Sequence, residues 1–139
     1  MNMSRDSKLV AAIALILIPT IEYGGSFLLK SLSDPLYMAN PLRHDLFRAG
    51  HAHAGVIIIL TLVCQLLLDG ASLGPALKWI ARLGAPLAAL LISGGFFLSA
   101  VSPSVSQPGE LINLVYVGAV LLALSVLLTA VGLLRSVRS

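Results

Sequence analysis

Charged residues are scarce in this sequence: Asp, Glu, Lys and Arg make up 11% of its 139 residues, whereas hydrophobic residues make up 58%. Soluble globular proteins carry about 25% charged residues, so this composition excludes an ordinary soluble domain. The single cysteine, Cys64, excludes an intrachain disulfide, and we expect it to be a small buried hydrophobic residue. The mean hydropathy of +0.97 predicts an integral membrane protein.

Four apolar runs are long enough to cross a bilayer, for which about 20 helical residues are needed. They cover residues 9–29, 47–68, 83–101 and 111–134. The short connections predict one domain over 1–139, an all-α four-helix bundle of up-down-up-down topology. Arg5 and Lys8 before the first run also occur in signal peptides, but no small-residue cleavage site follows, so we expect this span to be retained.

Basic residues flank the predicted spans, which is typical of a membrane protein and not of a nucleic-acid-binding one. Three of them, Lys30, Arg43 and Arg48, fall on one side of the predicted membrane, and the loop 102–109 has none. Six fall on the other side: Arg5, Lys8, Lys78, Arg82, Arg135 and Arg138. The positive-inside rule therefore predicts a multi-pass protein of a bacterial-type inner membrane, with both termini in the cytoplasm.

Polar side chains that are costly to bury in lipid fall in one predicted layer near the outer face. Glu22 and Tyr23 lie about 10 Å below the outer end of the first span. His51 and His53 lie one or two turns into the second span, and the other spans contribute further polar residues at this level: Ser99, Asn113 and Tyr116. The inner half offers few polar side chains beyond Thr61, Gln65 and Ser125.

The two histidines of the second span are expected to point in different directions, because residues two apart on a helix lie about 200° apart. His51 shares a face with His44, Arg48 and Gly55, whereas His53 lies above apolar side chains on the opposite face. A zinc site takes three or four ligands, so this pair does not predict one. One imidazole above an apolar wall is the arrangement that axial ligation of a haem iron requires.

Glycine is frequent in the predicted spans. The positions are Gly24, Gly25, Gly50, Gly55, Gly84, Gly94, Gly95 and Gly118. Small residues let helices approach closely in lipid, and they also leave room for a large flat group, so both interpretations stay open.

The order of motifs resembles the styrene oxide isomerase family, small four-helix membrane enzymes that bind haem b between subunits. The stretch "FRAGHAHAG" is similar to the family's Arg-Ala-His-Ser-Gly at the start of span two. The stretch "GGFFLSAVSPSVSQPGE" is similar to the end of the family's third span, where aromatic residues are followed by Ser-Pro, a polar loop and Pro-Gly with an acidic residue. The resemblance implies that His53 ligates the iron, with His51 as the fallback. Small residues beside it, Ala49, Gly50 and Ala54, would admit the macrocycle, and Arg48 and Gly55 complete the expected cofactor-binding set.

Three positions depart from the family's pattern. Its asparagine below the ligand falls on Ile59, its tyrosine before Ser-Pro falls near Phe96, and its acidic residue falls near Ala88. We expect other residues to supply the polar contacts to a substrate: Glu22, Tyr23, Asn113 and Tyr116. His51 is expected to pair with Glu22, a neighbouring subunit or the outer loop.

The resemblance implies an enzyme, a homotrimer in which ferric haem b acts as a Lewis acid that isomerises small apolar epoxides to carbonyl compounds. The alternative is a non-enzymatic membrane haem protein, a gas or redox sensor or an electron-transfer subunit, which usually has two axial protein ligands. A third possibility is a structural four-helix protein without a cofactor.

Overall fold

The computed structural model describes residues 3–138, which are mostly helical and contain no strand within that range. The elements in chain order are α1 (Arg5–Ser31), α2 (Pro35–Met38), α3 (Pro41–Leu68), α4 (Pro75–Leu98), a 3-10 turn (Glu110–Ile112) and α5 (Asn113–Val137). Four of these helices are long and apolar enough to cross a membrane, and they pack against each other. The predicted all-α four-helix bundle is therefore confirmed.

Helices α3 and α4 form the centre of the bundle. Helix α4 packs along both α3 and α5, while α1 packs mainly on α3. Ile57 and Ile58 of α3 meet Ala88 and Ile92 of α4 in the main apolar core. Half of the most apolar window of α4 is buried, compared with 6% of that of α1. Helix α1 is therefore the most peripheral of the four.

Three glycines of α4 and α5 mark close helix crossings. A Cβ atom added at Gly84 would lie 2.7 Å from the Ser125 Cβ, and one added at Gly118 would lie 2.7 Å from the Ile92 Cγ1. At Gly95 it would lie 2.9 Å from the backbone nitrogen of Val115. These three glycines serve helix packing, the first of the two interpretations that the sequence left open.

Helices α3 and α4 begin more than one turn before the apolar runs that predict them. Helix α3 begins at Pro41 and not near residue 47. The Asn40 side chain caps it by accepting a hydrogen bond from the Arg43 backbone nitrogen (3.1 Å). Proline is suited to the first position of a helix, because the backbone N–H that it lacks would have no partner within the helix there. Helix α4 begins at Pro75 and not near residue 83, and it ends at Leu98. The predicted loop before span two therefore contains the first turns of α3 and the short α2.

The start of α1 and the end of α5 lie at one end of the bundle, which we call the terminal end. The Ser4 backbone nitrogen donates to the Asp69 carboxylate after α3 (2.8 Å), and the Ser72 nitrogen donates to the Gly132 carbonyl of α5 (2.8 Å). The opposite end, which we call the loop end, carries the connections 32–40 and 99–112. There the Asn40 amide donates to the carbonyls of Pro103 and Val105, both at 2.9 Å, which joins the two connections.

A buried polar cluster closes the terminal end, and it corrects the expectation that this half holds few polar groups. Arg82, treated above as a membrane-flanking charge, is 3% exposed. Its guanidinium lies 3.3 Å from Asp69 and 3.5 Å from Asp6, and it donates to the Ser7 hydroxyl at 3.1 Å. The Ser4 and Ser7 hydroxyls also donate to Asp69, at 2.7 and 2.9 Å. These bonds tie the start of α1 to α3 and α4.

A proline inside α4 is accommodated by a side chain of α3. Pro86 has no backbone N–H, so the carbonyl four residues earlier, on Arg82, loses its helical donor. The buried Gln65 amide donates to that carbonyl at 3.0 Å. A buried polar side chain of α3 thus supplies the hydrogen bond that Pro86 removes from α4.

Candidate functional site

The His51 imidazole occupies the space that two glycines of α1 leave open. A Cβ atom added at Gly25 would lie 3.1 Å from the His51 Nε2, and one added at Gly24 would lie 3.5 Å from the Nδ1. No hydrogen bond or ion pair joins the His51 side chain to any of the residues 3–138. The ring therefore lies between α1 and α3, with its nitrogens toward the two glycines and without a hydrogen-bond partner among the described residues.

Three cavities of the loop half meet at His51, with volumes of about 570, 300 and 230 Å³. The largest, which we call the cationic groove, runs between α1 and α3 to α2. Its lining includes Leu28, Leu32, Tyr37, His44, Arg48 and His51. The second cavity reaches α4 at Ser93 and Gly94, and Ser93 has a buried hydroxyl without a partner among the described residues.

Glu22 and His51 line the third cavity together, between Gly25 and Gly55. Glu22 is exposed at the surface of the single chain, and within residues 3–138 it forms no ion pair. A carboxyl group at this depth in lipid must be protonated, hydrogen-bonded or covered by another chain. The structure brings Glu22 and His51 to one cavity, and the expected direct pairing between them stays a prediction.

His53 points away from His51, as the spacing predicts. The histidine ring contacts Phe96 of α4, with ring centroids 5.1 Å apart and planes inclined by 37°. Its Nδ1 lies 2.7 Å from the Ala49 carbonyl oxygen. Since a carbonyl oxygen can only accept, Nδ1 carries a hydrogen in this contact, and Nε2 lies at the other side of an exposed ring.

The remaining polar residues that the sequence singled out lie outside the cavities described. Tyr23 is 76% exposed and Tyr116 is 66% exposed, and Asn113 is also exposed. None of the three lines a cavity with His51. A ligand held within one chain would not meet them, whereas a ligand held between chains would.

The two glycines expected to bind a cofactor differ in their surroundings. A Cβ atom added at Gly50 would lie 3.1 Å from the Phe97 ring, so this glycine admits an aromatic side chain of α4. At Gly55 a Cβ atom would meet nothing within 4 Å, and Gly55 lines the third cavity. Gly50 thus serves packing, and Gly55 leaves space beside Glu22.

Two of the three positions that depart from the resemblance still lie close to the histidines. Phe96 stacks against His53, and Ile59 lines the third cavity with Glu22 and His51. Ala88 is fully buried in the core. None of these three positions carries a polar side chain, so the surroundings of both histidines are apolar there.

Tyr37 belongs to the site, although the sequence did not single it out. It is 3% exposed, and its hydroxyl has no hydrogen-bond partner among the described residues. Burial raises the pKa of this hydroxyl, and the charges of Arg43 and Arg48 act against the rise. Asp34 and Pro35, a side-chain cap and a first-turn proline, are the sequence signal for the short helix that positions it.

These side chains suit a group that is held by one histidine nitrogen, or an anionic group, better than a metal ion held only by protein side chains. Within residues 3–138, no three His, Cys, Asp or Glu side chains come close enough together to hold a metal ion. No family model, curated protein or solved structure matches this chain.

Proposed function

We propose that this chain is a membrane protein that binds haem b through His53 and isomerises small apolar epoxides to carbonyl compounds. The observation that carries the proposal is the 2.7 Å contact between His53 Nδ1 and the Ala49 carbonyl. Histidines that ligate metals donate their other ring N–H to such a carbonyl, which fixes the tautomer and ring orientation. The exposed Nε2 is then the atom that would hold the iron.

The surroundings of His53 fit a porphyrin. Phe96 provides an aromatic wall beside the imidazole, and Val56, one turn along α3, is 66% exposed. His51 faces α1 and is not available on the same side. The described residues around His53 thus offer one axial ligand on an apolar face.

Ferric haem held by one imidazole supplies a Lewis acid that polarises an epoxide oxygen without consuming an electron. The chain's own part is to exclude water and to position the substrate. Glu22 and His51 line the third cavity on the other face of α3 from His53, so they, like Tyr23, Asn113 and Tyr116, would contact the substrate only at an interface between protomers. Because His53 is exposed on the single chain, the proposal includes self-association, as a homotrimer by resemblance, in a bacterial-type inner membrane.

The absorption spectrum of the purified protein tests haem binding. We expect a Soret band that His53→Ala abolishes and that His51→Ala, the matched control two residues away, retains. A band lost only in His51→Ala would move the ligand to His51. A colourless protein after expression with added haem would reject the proposal and favour a structural four-helix protein.

Activity is tested next with the haem-loaded protein and a panel of aryl and alkyl epoxides. We expect conversion to the aldehyde without added reductant. If haem is bound but every epoxide is unchanged, the isomerase assignment is wrong. A six-coordinate spectrum in that case would support the electron-transfer or sensor function.

A further inference from the structure

The cationic groove lies on the opposite face of α3 from His53, and Arg48 is the charged side chain among the described residues that line it. His44, Arg48 and His51 follow one another at helical spacing along this side of α3. None of the described residues that line the groove is acidic. The nearest α3 carboxylate, Asp45, is 3.5 Å from His44 Nδ1 and lies outside the lining.

Arg48 is the free cation of this groove. Its neighbour Arg43 is held by the bundle: the Arg43 guanidinium lies 4.9 Å from the centre of the Phe47 ring and donates to the Ala100 carbonyl at 3.2 Å. Arg48 forms no hydrogen bond or ion pair through its side chain with any of the residues 3–138 and is exposed. A guanidinium in this position presents several donors to an anion.

The buried Tyr37 hydroxyl is the second observation that indicates a ligand. Tyr37 lines the groove and packs edge-on against His44, with ring centroids 5.5 Å apart. Buried hydroxyls are almost always hydrogen-bonded, yet no described residue bonds to this one. A ligand oxygen beside Arg48 would satisfy it.

The length of the groove limits the apolar part of the ligand. Its α1 wall runs from Gly25 to Leu32, which is about 10 Å at 1.5 Å per residue. It closes where a Cβ atom at Gly25 would already lie 3.1 Å from His51. A chain of about 10 Å fits within this length, whereas a full-length acyl chain, at about 15 Å for half of a bilayer core, would extend past the groove into the lipid.

We propose that the cationic groove binds a membrane-dissolved carboxylate whose apolar body is about 10 Å long, with the carboxylate on Arg48 and Tyr37 and the apolar body against Leu28 and Leu29, toward the lipid. The site is independent of haem, because it lies on the α1 side of α3. It is a second ligand site, and it does not depend on the isomerase activity.

Calorimetric titration of the detergent-solubilised full-length protein with octanoate tests this site, with octanol as the uncharged probe of equal chain length. We expect octanoate to bind at least about tenfold more tightly than octanol, because a charge-assisted bond to Arg48 is lost with the alcohol. Equal affinities would overturn the proposal. Displacement of octanoate by phosphatidylglycerol at lower concentration would also overturn it, in favour of a phospholipid site.

Substitutions locate the site. Arg48→Gln should weaken octanoate binding about tenfold or more, and Tyr37→Phe should weaken it to a smaller extent. Lys30→Gln, which removes a positive charge at the same end but outside the groove lining, should leave binding unchanged. If Arg48→Gln does not fold, Arg48→Lys keeps the charge and should show intermediate affinity. Wild-type affinity in a folded Arg48 variant would reject the assignment.

Discussion

At the scale of single residues, the polar side chains of this membrane protein divide into those with hydrogen-bond partners in the bundle and those without. Gln65 donates to the Arg82 carbonyl that Pro86 leaves without a donor, and Ser125 donates to the adjacent Ala81 carbonyl at 2.6 Å. Arg48 and His51 have no such task. A polar residue in a membrane span is therefore a functional candidate only if no hydrogen bond or ion pair within the bundle explains it.

The Gln65 bond can be measured with a double-mutant cycle. Gln65→Leu leaves the Arg82 carbonyl unpaired and should lower the free energy of unfolding by about 1–3 kcal/mol. Pro86→Ala restores the helical N–H, so Gln65→Leu in that background should cost clearly less. Unfolding in mixed micelles gives both values, and Gln107→Leu in the exposed loop serves as a control. Equal costs in the two backgrounds would show that Gln65 does not compensate for the proline.

The Asp69 carboxylate should make the terminal end sensitive to acid. Burial acts to raise the pKa of Asp69, but hydrogen bonds from Ser4 and Ser7 and the charge of Arg82 outweigh it and hold the pKa below its ordinary value of 3.8. The lowered pKa stabilises the folded state above pH 3.8, and this contribution is lost as the pH falls through the folded value.

The expected result is an unfolding free energy that declines steeply below pH 4 in the wild type and more gently in Asp69→Asn. At pH 7 the substitution should cost about 3 kcal/mol, because it leaves Arg82 buried with a weakened partner. Asp34 is an exposed residue at the loop end, so Asp34→Asn should have a much smaller effect on the free energy of unfolding at pH 7 and on its pH dependence. Parallel pH curves for the wild type and Asp69→Asn would contradict this account.

At the scale of helices, glycines with different neighbours should respond differently to the same substitution. Gly118→Ala places a Cβ atom against Ile92 and should destabilise the α4–α5 pair by about 1–3 kcal/mol. Gly94→Ala meets nothing within 4 Å and should stabilise α4 by up to about 1 kcal/mol, since alanine has the better helix propensity. Thermal unfolding in detergent compares the two. A loss of stability in Gly94→Ala equal to that in Gly118→Ala would contradict the packing described.

Hydropathy predicts the four spans because apolar length is a local property of the sequence. The opposite directions of His51 and His53 also follow from helical spacing alone. Burial of Arg82 could not be read in this way, because its partners Asp69 and Asp6 come from two other helices. The alignment of Arg48 and Tyr37 along one groove likewise depends on how α2 turns back onto α3, which no local pattern specifies.

At the scale of the whole molecule, the distribution of charge predicts the orientation in the membrane. The terminal end carries six basic residues, against three at the loop end, so we expect the terminal end to face the cytoplasm. In a Cys64→Ser background, a cysteine at Ser104 should react with an impermeant reagent added outside, and a cysteine at Ser136 should react only after permeabilisation. The reverse pattern would invert the topology.

The cavities that meet at His51 have a thermodynamic consequence because they open sideways. Their walls include Leu29 and Ile59, exposed by 71% and 61% on a surface that faces hydrocarbon. A molecule dissolved in the bilayer therefore reaches them without passing through water. Its mole fraction in the lipid, and not its concentration in the buffer, sets occupancy. Half-saturating amounts should accordingly scale with the lipid present in the assay.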